Sequence, residues 1–151
     1  KEGAFEPVGE IRVQYSDLQN IVVNPDVIPF IIDEIPILAV AGLFASGTMT
    51  ITEASELRVK ESDRIEGISQ LVGALGGSIK TVEDGFSLSG SVQVSSFAVD
   101  SQGDHRIAMS AMVAALGAGI QGEVQDCACV ATSFPSFFSL LSSFGCSLES
   151  Q

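Results

Sequence analysis

The hydrophobic positions of this chain switch repeatedly between a spacing of two and a denser or three-to-four spacing. Ile11, Val13 and Tyr15 alternate with Arg12, Gln14 and Ser16, which predicts a strand. A turn follows around Asn24-Pro25-Asp26. From Ile35 to Ala45 nearly every position is apolar, the mark of a helix buried on all sides. Asp33 stands in an N-cap place before it, Pro36 suits a first turn, and Gly47 ends it. Thr48, Thr50 and Thr52 then alternate with Met49 and Ile51, a second strand. Ser62 is placed to cap a helix with an apolar stripe of Ile65, Ile68, Leu71, Val72 and Leu75, stopped by Gly76-Gly77. Ile79 and Val82 predict a short strand. Phe86 and Leu88 predict another, and after Gly90 the alternation resumes at Val92 and Val94.

The order then begins again. Asp104 precedes an apolar helix from Ile107 to Leu116, ending near Gly117 and Gly119. Ile120 to Val124 reads as extended. Ser133 is placed to cap a helix carrying Phe134, Phe137, Phe138, Leu141 and Phe144, with Gly145 as its stop and a strand from Cys146 to Leu148. Asp33 and Asp104 are 104 − 33 = 71 residues apart, and Gly76 and Gly145 are 145 − 76 = 69 apart. This is an internal repeat of α/β units. The two all-apolar helices would pack on each other, with strands outside.

Composition narrows the class. The chain has 151 residues and is 46% hydrophobic, enough for a buried core and too apolar for disorder. With 7 basic and 19 acidic residues its net charge is −12, which argues against nucleic acid or an anionic membrane surface as partner. The stretch from Cys127 to Leu148 lacks charge, but Pro135, Gly145 and six serines make a spanning helix unfavourable. Glu2, Glu6 and Glu10 occupy the place of a signal peptide's apolar core. Three cysteines and one histidine give no metal motif, and the expected state is reduced thiols in the cytoplasm. Lys1 at the start suggests a fragment of a longer protein.

The basic residues carry the functional signal. Of seven, three fall within Arg58 to Arg64. Lys60, Arg64 and Arg106 all lie at or near predicted helix N-termini, where the helix dipole disfavours cations. A bound anion resolves the conflict, because free N–H groups, the dipole and a guanidinium together hold phosphate or carboxylate. Taken alone, Arg58 to Arg64 also reads as a solvated stretch of mixed charge, and His105 as a structural histidine. Asp33 and Asp104 read as helix caps or as groups facing a cleft. Glu61 beside Lys60 reads as a neighbour or as half of a proton-transferring pair.

Arg58-Val59-Lys60-Glu61-Ser62-Asp63-Arg64-Ile65 closely resembles a signature of the 5-enolpyruvylshikimate-3-phosphate (EPSP) synthase family. Asp104-His105-Arg106-Ile107-Ala108-Met109 resembles a second, Asp33-Glu34-Ile35-Pro36 the stretch with its active-site aspartate, and Ser133-Phe134-Pro135 the start of its last helix. The resemblance spans essentially the whole chain. It implies an α/β enolpyruvyl transferase-like fold of repeated βαβαββ units, with buried parallel helices and outer sheets. Family members have two domains of three such units, whose helix N-termini face a cleft. This chain would be the C-terminal portion, with repeats at about 11–100 and 101–151, the second truncated.

The implied reaction transfers the enolpyruvyl group of phosphoenolpyruvate to the 5-hydroxyl of shikimate 3-phosphate and releases phosphate. No metal or organic cofactor is implied. Asp33 would contact the shikimate hydroxyl and assist its deprotonation. Lys60 would bind beside that hydroxyl and take part in proton transfer, and Glu61 would help protonate the methylene. Arg64 and Arg106, with His105 beside them, would hold phosphoenolpyruvate. The missing N-terminal domain would supply the rest of the shikimate-phosphate site, so the chain alone is expected to be inactive and its parent a cytoplasmic monomer. Two positions depart from the family pattern: Thr132 stands where many members carry a lysine, and Glu56 where some carry an asparagine. The alternatives are a transferase acting on UDP-N-acetylglucosamine and a non-catalytic anion-binding domain of the same fold.

Overall fold

A computed structural model describes residues 8–149 of the chain. Three helices form its centre: α2 (Ile35–Leu43, after a single turn α1 at Ile28–Ile31), α3 (Arg64–Ala74) and α4 (His105–Ala118). Each packs against the other two. Strands β1 (Thr48–Ile51), β2 (Ser78–Val82) and β3 (Gly85–Ser89) make an antiparallel sheet in the order β1-β3-β2. On the open side of β1 runs the segment from Leu18 to Val23, in parallel. Ser46 N donates to Leu18 O at 3.0 Å, Asn20 N to Ser46 O at 2.8 Å, Thr50 N to Ile21 O at 3.1 Å and Val23 N to Thr50 O at 2.9 Å. Along the chain the order is therefore edge segment, α1, α2, β1, α3, β2, β3, then β4 (Ser96–Asp100), α4, β5 (Gln121–Gln125), α5 (Cys129–Ser133) and α6 (Phe137–Ser143), with β4 and β5 paired in parallel across α4.

The local reasons are legible. On α2, Ile35, Ala39, Val40 and Leu43 are all buried, as a helix without a polar face requires. The stripe of α3 points Ile65, Ile68, Leu71 and Val72 into the same core, where each large aliphatic side chain is worth about 1.5–3 kcal/mol. Gly76 ends α3 at φ +83°, a left-handed conformation that glycine adopts without a Cβ penalty. Gly67 lets α3 approach α4 closely, since a Cβ there would lie 3.2 Å from the Ile107 side chain.

Several sequence expectations need correction. Ile11 to Ser16 forms no strand: Ile11, Val13 and Tyr15 are 94, 88 and 95% exposed, and no described strand runs beside them to complete a ladder. The alternation at Val92 and Val94 is not a strand either. Gln93 N there donates to Leu75 O, and the strand starts later, burying Phe97 and Val99. Asp63 rather than Ser62 caps α3, because its carboxylate accepts from Glu66 N at 3.1 Å while the Ser62 hydroxyl donates to Asp104. Ser133 ends α5 instead of starting a helix. Phe134 precedes Pro135, whose ring drives it out of the helical region to φ −142°, ψ 81°, and the chain re-enters a helix only at Phe137. Cys146 to Leu148 is not extended into a strand.

The exposed apolar residues concentrate before α2: Ile11, Val13, Tyr15, Ile21, Val22 and Phe30 all lie open. Such a patch drives association. The expected result is a weight-average mass in sedimentation equilibrium that rises with concentration, and a clean monomer at high concentration would count against it.

Candidate functional site

The three central helices begin at one end of the molecule, and the predicted site residues gather there. Asp104 caps α4, accepting from Arg106 N at 2.9 Å and Ile107 N at 3.4 Å. Arg64 is the first residue of α3 and is wholly buried. Asp33 sits in the turn before α2. It does not cap that helix: Glu34 holds the N-cap place without a side-chain bond. Two guanidinium groups claim the Asp33 carboxylate instead, and charge-assisted bonds outcompete a backbone N–H.

Arg64 is the hub. Its Nε donates to Asp104 Oδ2 at 2.8 Å, one terminal nitrogen to Asp33 Oδ1 at 2.8 Å, and the other to Glu61 Oε2 at 2.5 Å. A buried cation at the positive end of a helix is unfavourable twice over, and three carboxylates offset it. Burial would lower the Arg64 pKa, but the hydrogen bonds it donates to Asp104 and Asp33 raise it. Arg106 reaches across from α4 and donates to Asp33 O at 2.9 Å, with Asp33 Oδ2 at 3.3 Å and Glu34 at 3.6 Å. Its side chain stays one-third exposed. His105 is half-buried at the first position of α4. Lys60 is paired with Glu56 at the rim. Glu56 thus has a definite partner. Thr132 lies exposed on α5.

The structure therefore brings Asp33, Glu61, Arg64 and Arg106 into one network with Lys60 at its edge, whereas His105 adjoins Arg106 in sequence and makes no side-chain bond to the network. Sequence reasoning gave Asp104 as a cap or a cleft-facing group and missed that it also grips Arg64. A signal was available, because a capping aspartate before an apolar helix has its second oxygen free for a buried cation. A small cavity of about 160 Å³, with Asp33 and Arg106 among its lining residues, opens between α2, α4 and α6. A larger cleft of about 520 Å³ lies at the other end of the helices, beside Phe44 and Gly117, and has no titratable side chain.

The network is rich in carboxylates. Lys60, Arg64 and Arg106 face Asp33, Glu34, Glu56, Glu61 and Asp104, three cations against five anions. An incoming anion reaches Arg64 only by displacing Asp33 or Glu61, whereas Arg106 keeps one-third of its side chain exposed and Lys60 has only the exposed Glu56 to leave. Asp33 is held below its ordinary pKa of 3.8, chiefly by the Arg64 bond. Burial would raise Asp104 and Asp63, but hydrogen bonds from Arg64 to the one and Arg58 to the other lower both. In the unfolded chain these groups take up protons first. Their contribution to stability is present above the unfolded value and is lost as pH falls through the lower folded values. The urea midpoint should therefore drop steeply below about pH 4, and an Asp104→Asn variant should show a shallower slope.

Comparison with known proteins decides the relationship. Residues 5–141 match the family model of EPSP synthase (3-phosphoshikimate 1-carboxyvinyltransferase). The chain belongs to the EPSP synthase family. It is 48% identical over 149 residues to the 3-phosphoshikimate 1-carboxyvinyltransferase of Acidithiobacillus ferrooxidans, covering 99% of this chain and 34% of the relative. The Synechocystis protein of the same name is 46% identical over 136 residues, covering 90% and 30%. The fold is that of the solved EPSP synthase from Acinetobacter baumannii, with a TM-score of 0.75 and 34% identity over 84% of this chain and 30% of that one. The chain thus spans about a third of the length of the curated EPSP synthase relatives it matches. Among the described residues no helix is long and apolar enough to cross a membrane.

Proposed function

We propose that this chain is the C-terminal portion of a cytoplasmic enzyme that transfers the enolpyruvyl group of phosphoenolpyruvate to the 5-hydroxyl of shikimate 3-phosphate. The chain comprises two repeated units at about 11–100 and 101–151, the second truncated, with β4 (Ser96–Asp100), at the end of the first range, pairing with β5 of the second. The observation that carries the reading is the network joining Asp33, Glu61, Arg64 and Arg106 at three helix N-termini. The substrate has the matching chemistry: a phosphate, a carboxylate and a methylene carbon that must take up a proton before C2 can be attacked.

In this reading the substrate's anions take over Arg106 and then Arg64, with His105 alongside. That exchange releases two carboxylates where they are needed. Glu61, with Lys60 beside it, delivers the proton to the methylene. Asp33, with Lys60, draws the proton from the acceptor hydroxyl as its oxygen bonds to C2. Loss of phosphate and of one methyl proton then regenerates the double bond in the product. No metal or organic cofactor takes part. The network's excess of carboxylates fits a division of labour in which the remaining N-terminal portion of the polypeptide brings further cations for shikimate 3-phosphate.

The test is turnover by the full-length polypeptide. With phosphoenolpyruvate and shikimate 3-phosphate it should release phosphate and form the enol ether, identified by mass. The isolated chain should show no appreciable turnover. Product formed only with UDP-N-acetylglucosamine would assign the other transferase, and folded full-length protein without either product would assign a non-catalytic anion-binding domain.

A further inference from the structure

Arg58 is the one basic residue of the Arg58–Arg64 island that the proposed chemistry leaves without a part. All three of its guanidinium nitrogens are engaged. Nε donates to Glu83 O at 3.0 Å and one terminal nitrogen to Val82 O at 2.7 Å, both at the β2–β3 turn. The other terminal nitrogen donates to Asp63 Oδ2 at 2.8 Å, while Asp63 Oδ1 caps α3. The same turn is tied a second time, by Glu53 N to Asp84 Oδ2 at 3.0 Å and Ala54 N to Asp84 O at 2.8 Å.

The consequence is geometric. Residues 60–63, between the 3-10 turn Ser55–Val59 and α3, are irregular, and the two residues that flank Lys60 and Glu61, Arg58 and Asp63, are joined through side chains. Val59 projects into solvent at 78% exposure, so apolar packing does not hold the segment, and its other ties are polar: Lys60 to Glu56, Glu61 to Arg64 and Ser62 to Asp104. Lys60 and Glu61 lie within it. Side chains carried by a loop depend on its ends for their position, and a displacement of about 1 Å can cost on the order of 100-fold in rate.

We propose that Arg58 and Asp63 form a clasp that positions Lys60 and Glu61, with the β2–β3 turn as its anchor. Arg58 is then a positioning residue. A lysine cannot replace it, because a single ammonium cannot span two carbonyls and a carboxylate in the directions the planar fork does. For its catalytic consequence, the inference rests on the enolpyruvyl transfer reading.

The test uses Asp63→Asn, Arg58→Gln and Arg58→Lys in the full-length polypeptide. Asparagine caps a helix about as well as aspartate, so Asp63→Asn opens the clasp while keeping α3 capped. The backbone order parameters of residues 60–63 should fall from about 0.85 to below about 0.6 in each variant. The kcat should fall roughly 10- to 100-fold, with a much smaller change in KM for phosphoenolpyruvate, and Asp63→Asn should lower the thermal midpoint by only about 2–4 °C, as the loss of a partly exposed pair would. Arg58→Lys should not restore kcat. Unchanged order parameters would overturn the clasp whatever the reaction proves to be. A loosened loop with wild-type kcat would overturn the positioning role. Absence of turnover in the wild type would refute the functional reading alone, since the order parameters still decide the clasp.

Discussion

Replacing Arg64 with leucine should lower the unfolding free energy by about 3–5 kcal/mol, the cost of breaking a buried ion pair by removing one partner. The substitution takes the cation from three carboxylates at once. Asp33 and Glu61 are partly exposed and can turn to water or to Arg106, but Asp104 is wholly buried and cannot. Its Oδ1 still accepts from the α4 backbone, while Oδ2 keeps only the Ser62 hydroxyl at 3.2 Å. Urea denaturation should show a lower midpoint with an unchanged slope. Adding Asp104→Asn should then recover part of the loss, because it removes the stranded charge. If Arg64→Leu costs less than about 1 kcal/mol, or if Asp104→Asn makes the variant still weaker, the hub does not stabilise α3 and α4 as argued. The acid sensitivity expected below about pH 4 has the same origin, and Arg64→Leu should weaken it.

Glu61→Gln in the full-length polypeptide should leave the fold nearly intact and reduce kcat by roughly 10²- to 10⁴-fold, the range for losing a positioned acid or base. Glu61 is about half exposed, so its shape-preserving amide should cost little stability and can still accept from Arg64. What it cannot do is carry a proton to carbon. Deuterium from solvent should therefore enter the methylene of phosphoenolpyruvate slowly in the variant, at a rate reduced in step with kcat. Lys60→Met should behave similarly, since Lys60 is paired only at the rim with Glu56. A Glu61→Gln enzyme within threefold of wild type, with normal methylene exchange, would remove Glu61 from proton transfer and leave it as a partner of Arg64.

The two expectations separate the roles of neighbouring residues. Arg64 is saturated by protein carboxylates, so its loss should appear first in stability. Glu61 contributes little burial, so its loss should appear in rate. The buried hub fixes where α2, α3 and α4 begin relative to one another, and the exposed groups around it remain free to exchange partners with a ligand.

Much of this was legible in the sequence, for local reasons. Apolar runs placed α2, α3 and α4 because burial follows the period of each element, and β1 and β3 followed from alternation. The family was legible from two short motifs that resemble its signatures, whereas the island of cations in a strongly acidic chain pointed by itself only to an anion site. Other features depend on neighbours that are distant in sequence. The alternation at Ile11, Val13 and Tyr15 is a strand pattern with no strand beside it among the described residues, and the cap of α3 moved from Ser62 to Asp63 because Asp104, 42 residues away, took the serine's hydroxyl. At Ser133 the missed signal was local, for Pro135 governs the residue before it.

The sequence by itself determined which residues are cationic, which helices are buried and where most of them start. Only the tertiary structure decided who holds whom. It turned Asp33 from a helix cap into a bridge between Arg64 and Arg106, and it made Asp104 a cap and a counter-ion at once. The physical reason is that capping is a contact within a few residues, whereas an ion pair is chosen by whichever opposite charge the packed helices bring within about 3 Å in a place water cannot reach.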